Sequence, residues 1–376
     1  MNPQTQFMLV SEQAAANLLP ALDPEIKPRE AVLVVSGKMR SRADDLEAVL
    51  KEAGVATSRV NLDNEHDFGA LQQVLLECAG SRAGQAHALN VTGGTKLMAL
   101  AAQSVAAAAD WRVFYVDVDT DEVIWLHKHG HRQRLGQHLR LRHYLRGYGF
   151  TIEASRDQYK SRPGHDELIE TLLTRIRSIQ RALGHVNWLA QQAESEGTLH
   201  AALTDNQRND QELLLSLKTF EDAGVLAVHS RSVCFTSEED RDFAKGGWLE
   251  SYVYRMVCAV SNTSGIRDKR VNLTVKDQQG VQNELDIAFM ARNRLFLIEC
   301  KTSRMDGPVM QKANDALFKL SELCRRVGGL GTRGMLVSYR TLRKPEKRLA
   351  RALHLEVVQG SELQELKTRI RRWVEI

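Results

Sequence analysis

The residues best equipped for chemistry lie in "VQNELDIAFMARNRLFLIECKT", residues 281–302, where Glu284, Asp286, Glu299 and Lys301 interrupt apolar runs. Residues 281–290 and 295–302 have the β-branched, aromatic and aliphatic content of strands, and Arg292-Asn293 suits a tight turn between them. A hairpin turning there sets Asp286 opposite Glu299 and Glu284 opposite Lys301, with all four side chains on one face. Leu285, Ile287, Phe289, Phe296, Ile298 and Cys300 fall on the other face, as a core would. Facing β carbons stand about 5 Å apart, where two like charges destabilise a strand pair unless something neutralises them. A divalent cation does that. The ordinary alternative is the wet face of a hairpin, with Glu284 paired to Lys301. The apolar run 295–298 leading into Glu299 points instead to acids at the mouth of a core.

A second constellation is "NVTGGTKLMALAAQ", residues 90–103: a short apolar run, then Thr92-Gly93-Gly94-Thr95-Lys96, then a helical pattern. Glycines let a ligand approach the backbone, a helix start offers free N–H groups, and Thr and Lys add a hydroxyl and a charge. This reads as an anion cradle for phosphates, against the plain alternative of a strand-to-helix turn without ligand. It has neither the GxxxxGK[ST] nor the GxGxxG spacing, which argues against ATP hydrolysis and NAD binding.

The elements that must position these residues follow from periodicity. Strand-like runs at residues 7–10, 31–36, 56–61, 86–91 and 112–116 alternate with helical segments, the signature of a parallel Rossmann-like sheet. Such sheets bind ligands at the carboxyl ends of their strands, where the glycine loop falls. The stretch 127–149 holds His127, His129, His131, His138 and His143 with six Lys plus Arg and no acid, and reads as a basic connector rather than a metal site. Residues 165–245 give helices followed by a short β pair, the pattern of a winged helix. Beyond them, an amphipathic stretch at 247–260 carries Glu250, the hairpin follows, then a helix at 309–326 and a strand at 334–339.

Composition sets the limits. The 376 residues suffice for two or three domains, and 43% hydrophobic with 26% charged residues is ordinary for a globular protein. Five cysteines at 78, 234, 258, 300 and 324, with no CxxC pair, suggest neither a disulfide framework nor a zinc site. No apolar run reaches membrane length and the N-terminus lacks a secretory signal, so a soluble cytoplasmic protein without membrane association is expected. Net charge is only +4, but between Lys301 and Arg351 there are thirteen Lys plus Arg against four Asp plus Glu. A basic surface beside clustered carboxylates suits a phosphate backbone.

Two resemblances join these readings. Asp286 followed by Glu299-x-Lys301 resembles the PD-(D/E)xK nuclease signature, with Leu285-Asp286 in place of Pro-Asp. The resemblance implies Asp286 and Glu299 as ligands of Mg2+ or Mn2+, Lys301 orienting water or stabilising the phosphate, and Glu284 and Glu250 in support. For Glu250 a first-turn acid favoured by the helix dipole is the alternative. The loop Thr92 to Lys96 is similar to the second signature of the CRISPR-associated Rossmann fold (CARF) domain. Ser11, Glu12 and Gln13 after the first strand stand where the first signature would, and Ser36 to Lys38 end the second strand.

The chain is thus expected to be α/β: a CARF-like sensor (1–145), a connector and winged-helix-like segment (146–245) and a restriction-endonuclease-like domain (246–376). That order resembles the CARF effector nucleases of type III CRISPR systems. It implies a homodimer, activated by a cyclic oligoadenylate, most simply cyclic tetra-adenylate, bound by Ser11, Gln13, Ser36, Thr92, Gly93, Gly94, Thr95 and Lys96. The implied reaction is metal-dependent hydrolysis of single-stranded DNA or RNA, with nicking of duplex DNA also compatible. The alternatives are a ligand-responsive winged-helix transcription regulator with an inactive nuclease core, and a sensor pocket that degrades its own ligand.

Overall fold

The computed structural model describes residues 3–82, 84–126, 130–136, 138–156, 162–302 and 311–375. The first sheet has seven strands, β1 (Thr5–Leu9), β2 (Glu30–Ser36), β3 (Ala56–Leu62), β4 (His87–Asn90), β5 (Arg112–Asp117), β6 (Glu122–Trp125) and β7 (Arg132–Arg134), in the order β3-β2-β1-β4-β5-β6-β7. The first five strands run parallel, and β6 and β7 are antiparallel additions. The inner strands β1, β2 and β4 are buried almost throughout because both faces of the sheet are covered, while the edge strand β3 is half-exposed. Helices α1 (Ala15–Leu22), α2 (Arg40–Glu52), α3 (Phe68–Gly80) and α4 (Lys96–Ala108) are the crossovers, and α5 (Leu141–Gly147) follows the sheet. The segment expected to be a basic connector therefore supplies an edge strand, β7, while His127 and His129 lie outside the described residues.

The next strand, β8 (Phe150–Arg156), pairs with the C-terminal sheet rather than with its sequence neighbours. Helices α6 (His165–Thr174), α7 (Ile176–Ser195), α8 (Asp205–Arg208) and α9 (Gln211–Asp222) then pack with a small antiparallel sheet of β9 (His200–Ala202), β10 (Leu226–Val228) and β11 (Ser232–Phe235), ordered β10-β11-β9.

After α10 (Glu238–Asp242) and a π-helical turn (Phe243–Gly247) comes α11 (Trp248–Val260). The second large sheet holds β12 (Ile266–Asp277), β13 (Gln282–Ala291), β14 (Arg294–Lys301), β15 (Arg333–Ser338) and β16 (Glu356–Gln359), ordered β16-β15-β14-β13-β12-β8. Helices α12 (Gln311–Gly328), α13 (Lys344–Ala352) and α14 (Leu366–Glu375) complete it, while Val309 and Met310, the expected start of α12, lie outside the described residues. The long strand β12 was not expected. Its buried Val271, Leu273 and Val275 keep period two, but the run of charges before them, Arg267 to Arg270, hides the strand.

One core lies between the two large sheets. It runs from Met8, Leu33 and Phe114 of the first sheet, through Tyr144 and Leu145 of α5, to Leu297, Leu320 and Leu336 of the second. The opposite face of the second sheet, with Ile287, Phe289 and Ile298, packs on α11, α14 and the helices α6, α7 and α9. A third cluster under α3 and α4 covers the outer face of the first sheet. Among the described residues no helix is long and apolar enough to cross a membrane.

Candidate functional site

The hairpin forms in the expected register. Arg292 and Asn293 take left-handed φ values of 49° and 55°, a two-residue turn whose twist matches the strands. Ala291 pairs with Arg294 and Ile287 with Ile298, which carries Asp286 to the level of Glu299. Beyond that point the Asp286 carboxylate takes over from the main chain, its Oδ2 accepting the Cys300 N–H at 2.7 Å. On the other side of β13, Val271 pairs with Ile287 and Leu273 with Leu285, so Asn272, at φ 50°, stands level with Asp286. The strands turn over at this kink. Ile287 joins the core with α11, but Leu285 packs in the core between the sheets, not on the face shared by Ile287 and Phe289 as expected.

The carboxylates meet in a place that penalises their charge. Burial pushes the Asp286 carboxyl well above the usual range, and Glu299 and Glu250 push it further, against the Cys300 N–H and Lys301. Burial also raises Glu250, on the first turn of α11, with Glu284 adding to the effect. Lys301 forms an ion pair with the buried Glu299, not with Glu284 as an ordinary hairpin would have it. Burial works against its ammonium, but Glu299 outweighs it and holds Lys301 above the ordinary lysine value. Glu284 is exposed at the rim and acts on the site through its charge. The Cys300 thiol, between Glu299 and Lys301, is driven far up by burial and is a neutral core atom.

The donor set fits a hard divalent cation. Asp286 and Glu299 offer only oxygens, and Mg2+ or Mn2+ completes its shell with water rather than an all-protein cage. Among the described residues no three His, Cys, Asp or Glu side chains close on a single point. Residues 303–310, directly after Thr302, lie outside the described set.

Around this mouth stand residues the sequence did not single out. Thr302 Oγ1 donates to the Lys245 carbonyl at 3.2 Å and accepts from Asn187 Nδ2 of α7 at 3.1 Å. Gly246, without a side chain, lets Thr302 close against the π-helical turn. Arg340 leaves the end of β15, where Ser338 pairs with Lys301, and its guanidinium lies over the Tyr339 ring at 5.4 Å.

The glycine loop opens on a cleft of about 780 Å³ at the carboxyl ends of β1, β2, β4 and β5, at the reversal of strand order. Ser11, Gln13, Ser36, Thr92, Gly93, Gly94 and Thr95 all line it; Lys96 does not, and is exposed at the start of α4. Gly93 and Gly94 serve the scaffold first, because a Cβ on Gly93 would drive into the Leu9 carbonyl and one on Gly94, at φ 72°, would stand 2.9 Å from Leu9 Cβ. The two threonine hydroxyls are also engaged. Thr92 Oγ1 donates to Asn90 Oδ1 at 2.6 Å and accepts from Val116 N–H at 2.7 Å, and Thr95 caps α4 through Met98 N–H. Asn90 in turn binds Asn17, whose side chain reaches the Leu9 carbonyl. Lys38, His66, Glu65, Asp117, Asp119 and a 44% exposed Tyr115 complete the wall. Beyond Lys38, these carried no signal without knowing which strands lie side by side.

Three contacts join the cleft and its surroundings to the second sheet and its helix α12. Arg294, the first residue of β14, donates from Nη2 to the Asp119 carbonyl at 2.7 Å, so the strand ending in Glu299 and Lys301 begins at the cleft's rim. Gln13 packs on Gly329, accepts from Tyr148 Oη at 3.3 Å, and Tyr144 Oη donates to the Gly328 carbonyl at 2.9 Å at the end of α12.

Residues 5–144 match the Card1 CARF domain family, and residues 237–376 the Card1-like endonuclease domain family. The chain is similar to protein VC1899 from Vibrio cholerae at 27% identity and TM-score 0.88, covering 99% of this chain and 98% of that one. It is similar to Can2 from Sulfobacillus thermosulfidooxidans, solved in complex with cyclic tetra-adenylate, at 25% identity and TM-score 0.83, again over 99% and 98%. A type III CRISPR defence DNA nuclease activated by cyclic oligoadenylate shares the fold at 23% identity and TM-score 0.60, over 90% of this chain and 46% of that one. A search of curated proteins finds no match.

Proposed function

This chain joins a CARF domain to an endonuclease domain and belongs to the CARF effector nucleases of type III CRISPR systems, and from that premise we propose a metal-dependent nuclease switched on by cyclic tetra-adenylate. The observation that carries the reading is the one strand, β14, with Arg294 bonded to Asp119 of the ligand cleft's wall and Glu299-Cys300-Lys301 in the carboxylate site.

The ligand lies over the glycine loop. The N–H groups at the start of α4 and Lys38 face its phosphates, Glu65, Asp117 and Asp119 accept from adenine amino groups, and Tyr115 offers a ring face. A ring of repeated nucleotides has the symmetry of two such clefts in a C2 homodimer. At the second site Asp286 and Glu299 would hold Mn2+ or Mg2+, which when bound would supply an acidified water and charge neutralisation at the phosphate. Lys301, kept charged by Glu299, donates to a non-bridging phosphoryl oxygen as charge builds there. Glu250 adds negative charge around Asp286, and Glu284 around Glu250, and so both raise the site's need for a cation. The substrate is single-stranded DNA or RNA, and duplex DNA is nicked because each protomer cuts one strand.

The test is cleavage of labelled single strands with and without cyclic tetra-adenylate and divalent metal, beside Glu299→Ala. Cleavage that needs both additions supports the reading. Sequence-specific duplex binding without any cleavage would instead support the transcription regulator, with Asp286, Glu299 and Lys301 as relics.

A further inference from the structure

Trp188 is 45% exposed on α7, although a Trp on a surface helix of this kind is normally turned into the core. Its place is specific. Gly184 lies one turn earlier on the same stripe of α7, and it lacks a side chain where the Arg340 guanidinium crosses the helix. Side chains on a helix lean toward its N-terminus, so the indole leans toward Arg340. Asn187, next to it, ties α7 to Thr302 and Lys245, one residue from Lys301. A flat apolar face thus stands one turn of α7 from Arg340 and next to Asn187, which reaches Thr302 at the end of the strand that carries Glu299 and Lys301. The opposing charges, Glu194 and Asp242, are both engaged with Lys245.

We infer that Trp188 is a stacking platform for a base of a single-stranded substrate, with Arg340 contacting the neighbouring phosphate. This rests on the nuclease reading and deepens it. Stacking on an aromatic face tolerates any base but needs one free of its duplex neighbours, which makes Trp188 a determinant of single-strand preference. The backbone then passes between α7 and the ends of β14 and β15, and the scissile phosphate falls at Lys301.

The experiment compares wild type, Trp188→Ala and Trp188→Phe as full chains, activated by cyclic tetra-adenylate with Mn2+. The probes are a labelled 20-nucleotide oligothymidylate and a supercoiled plasmid. Trp188→Ala is expected to raise KM for the oligonucleotide about tenfold at nearly unchanged kcat, to spare nicking, and to be rescued by Trp188→Phe. Quenching of intrinsic fluorescence by the oligonucleotide without metal is expected in wild type and lost in Trp188→Ala, a readout independent of cleavage. Unchanged KM and quenching in Trp188→Ala would overturn the proposal. So would a loss of activity accompanied by a change in oligomeric state, which would make the indole a contact between copies. If wild type cleaves nothing the nuclease reading fails, and the quenching alone decides the role of Trp188.

Discussion

Arg294 Nη2 lies 2.7 Å from the main-chain oxygen of Asp119, joining a wall of the ligand cleft to the strand that ends in Glu299 and Lys301. Allostery is a coupling free energy, and a strand carries it only if both ends are held. Arg294→Ala is expected to leave cyclic tetra-adenylate affinity within about threefold while reducing ligand-stimulated cleavage about tenfold or more, a coupling loss in the usual range. Calorimetric titration with the ligand and cleavage rates on the same preparation check it. Full stimulation in Arg294→Ala would remove β14 from the relay.

The raised Asp286 carboxyl makes a prediction about stability. A carboxyl whose folded value lies above its unfolded one costs nothing below the ordinary range, and destabilises the fold as pH rises through the raised value. Metal-free protein should therefore melt lower at pH 8 than at pH 5, and Asp286→Asn should flatten that slope and raise the pH 8 melting temperature by about 2 to 6 °C. Adding Mn2+ should raise the melting temperature of wild type but not of Asp286→Asn. Differential scanning calorimetry across pH reads both effects, and an identical pH slope in the two proteins would contradict the burial argument.

Lys301 is held above the ordinary lysine value by Glu299. Its charge persists through the working range, so the pH–rate profile should show no alkaline fall attributable to it below about pH 10. Lys301→Met should lower kcat about 100- to 1000-fold, the cost of removing one donor to developing charge. Single-turnover rates across pH check this, and an alkaline limb near pH 8 that vanishes in Lys301→Met would reverse the assignment.

In the cleft, Gly93→Ala pushes a methyl group into the Leu9 carbonyl and should abolish ligand binding or destabilise the first domain. Thr95→Ala removes only a helix cap and should cost about 1 kcal/mol of stability. Thermal melts and ligand titrations separate the two, and equal behaviour would mean the loop's backbone does not need its glycine.

The hairpin was legible because its register follows from one turn and from alternation, both local properties of residues 281–302. The five parallel strands were legible as apolar runs for the same reason. Asn272 was not, since a left-handed Asn opposite Asp286 has no meaning until β12 is seen beside β13. The threonines of the glycine loop were recognised as polar groups at a strand end, but their engagement with Asn90, Val116 and Met98 depends on packing across the sheet. Tyr115 and Asp119 come to the cleft from β5 and the turn after it, far in sequence from the glycine loop, and Arg294 reaches Asp119 from the other sheet, as Asn187 and Arg340 come to the carboxylate site from distant elements. Lys96 had the right chemistry for an anion, and stands exposed at the start of α4, one residue beyond the cleft-lining Thr95.

The most direct measurement is cleavage of labelled single-stranded DNA, single-stranded RNA and supercoiled plasmid with Mn2+ or Mg2+, with and without cyclic tetra- or hexa-adenylate, beside Glu299→Ala. The account predicts cleavage that requires both metal and cyclic tetra-adenylate and disappears in Glu299→Ala. Measurable ligand binding with no cleavage under any combination would contradict it.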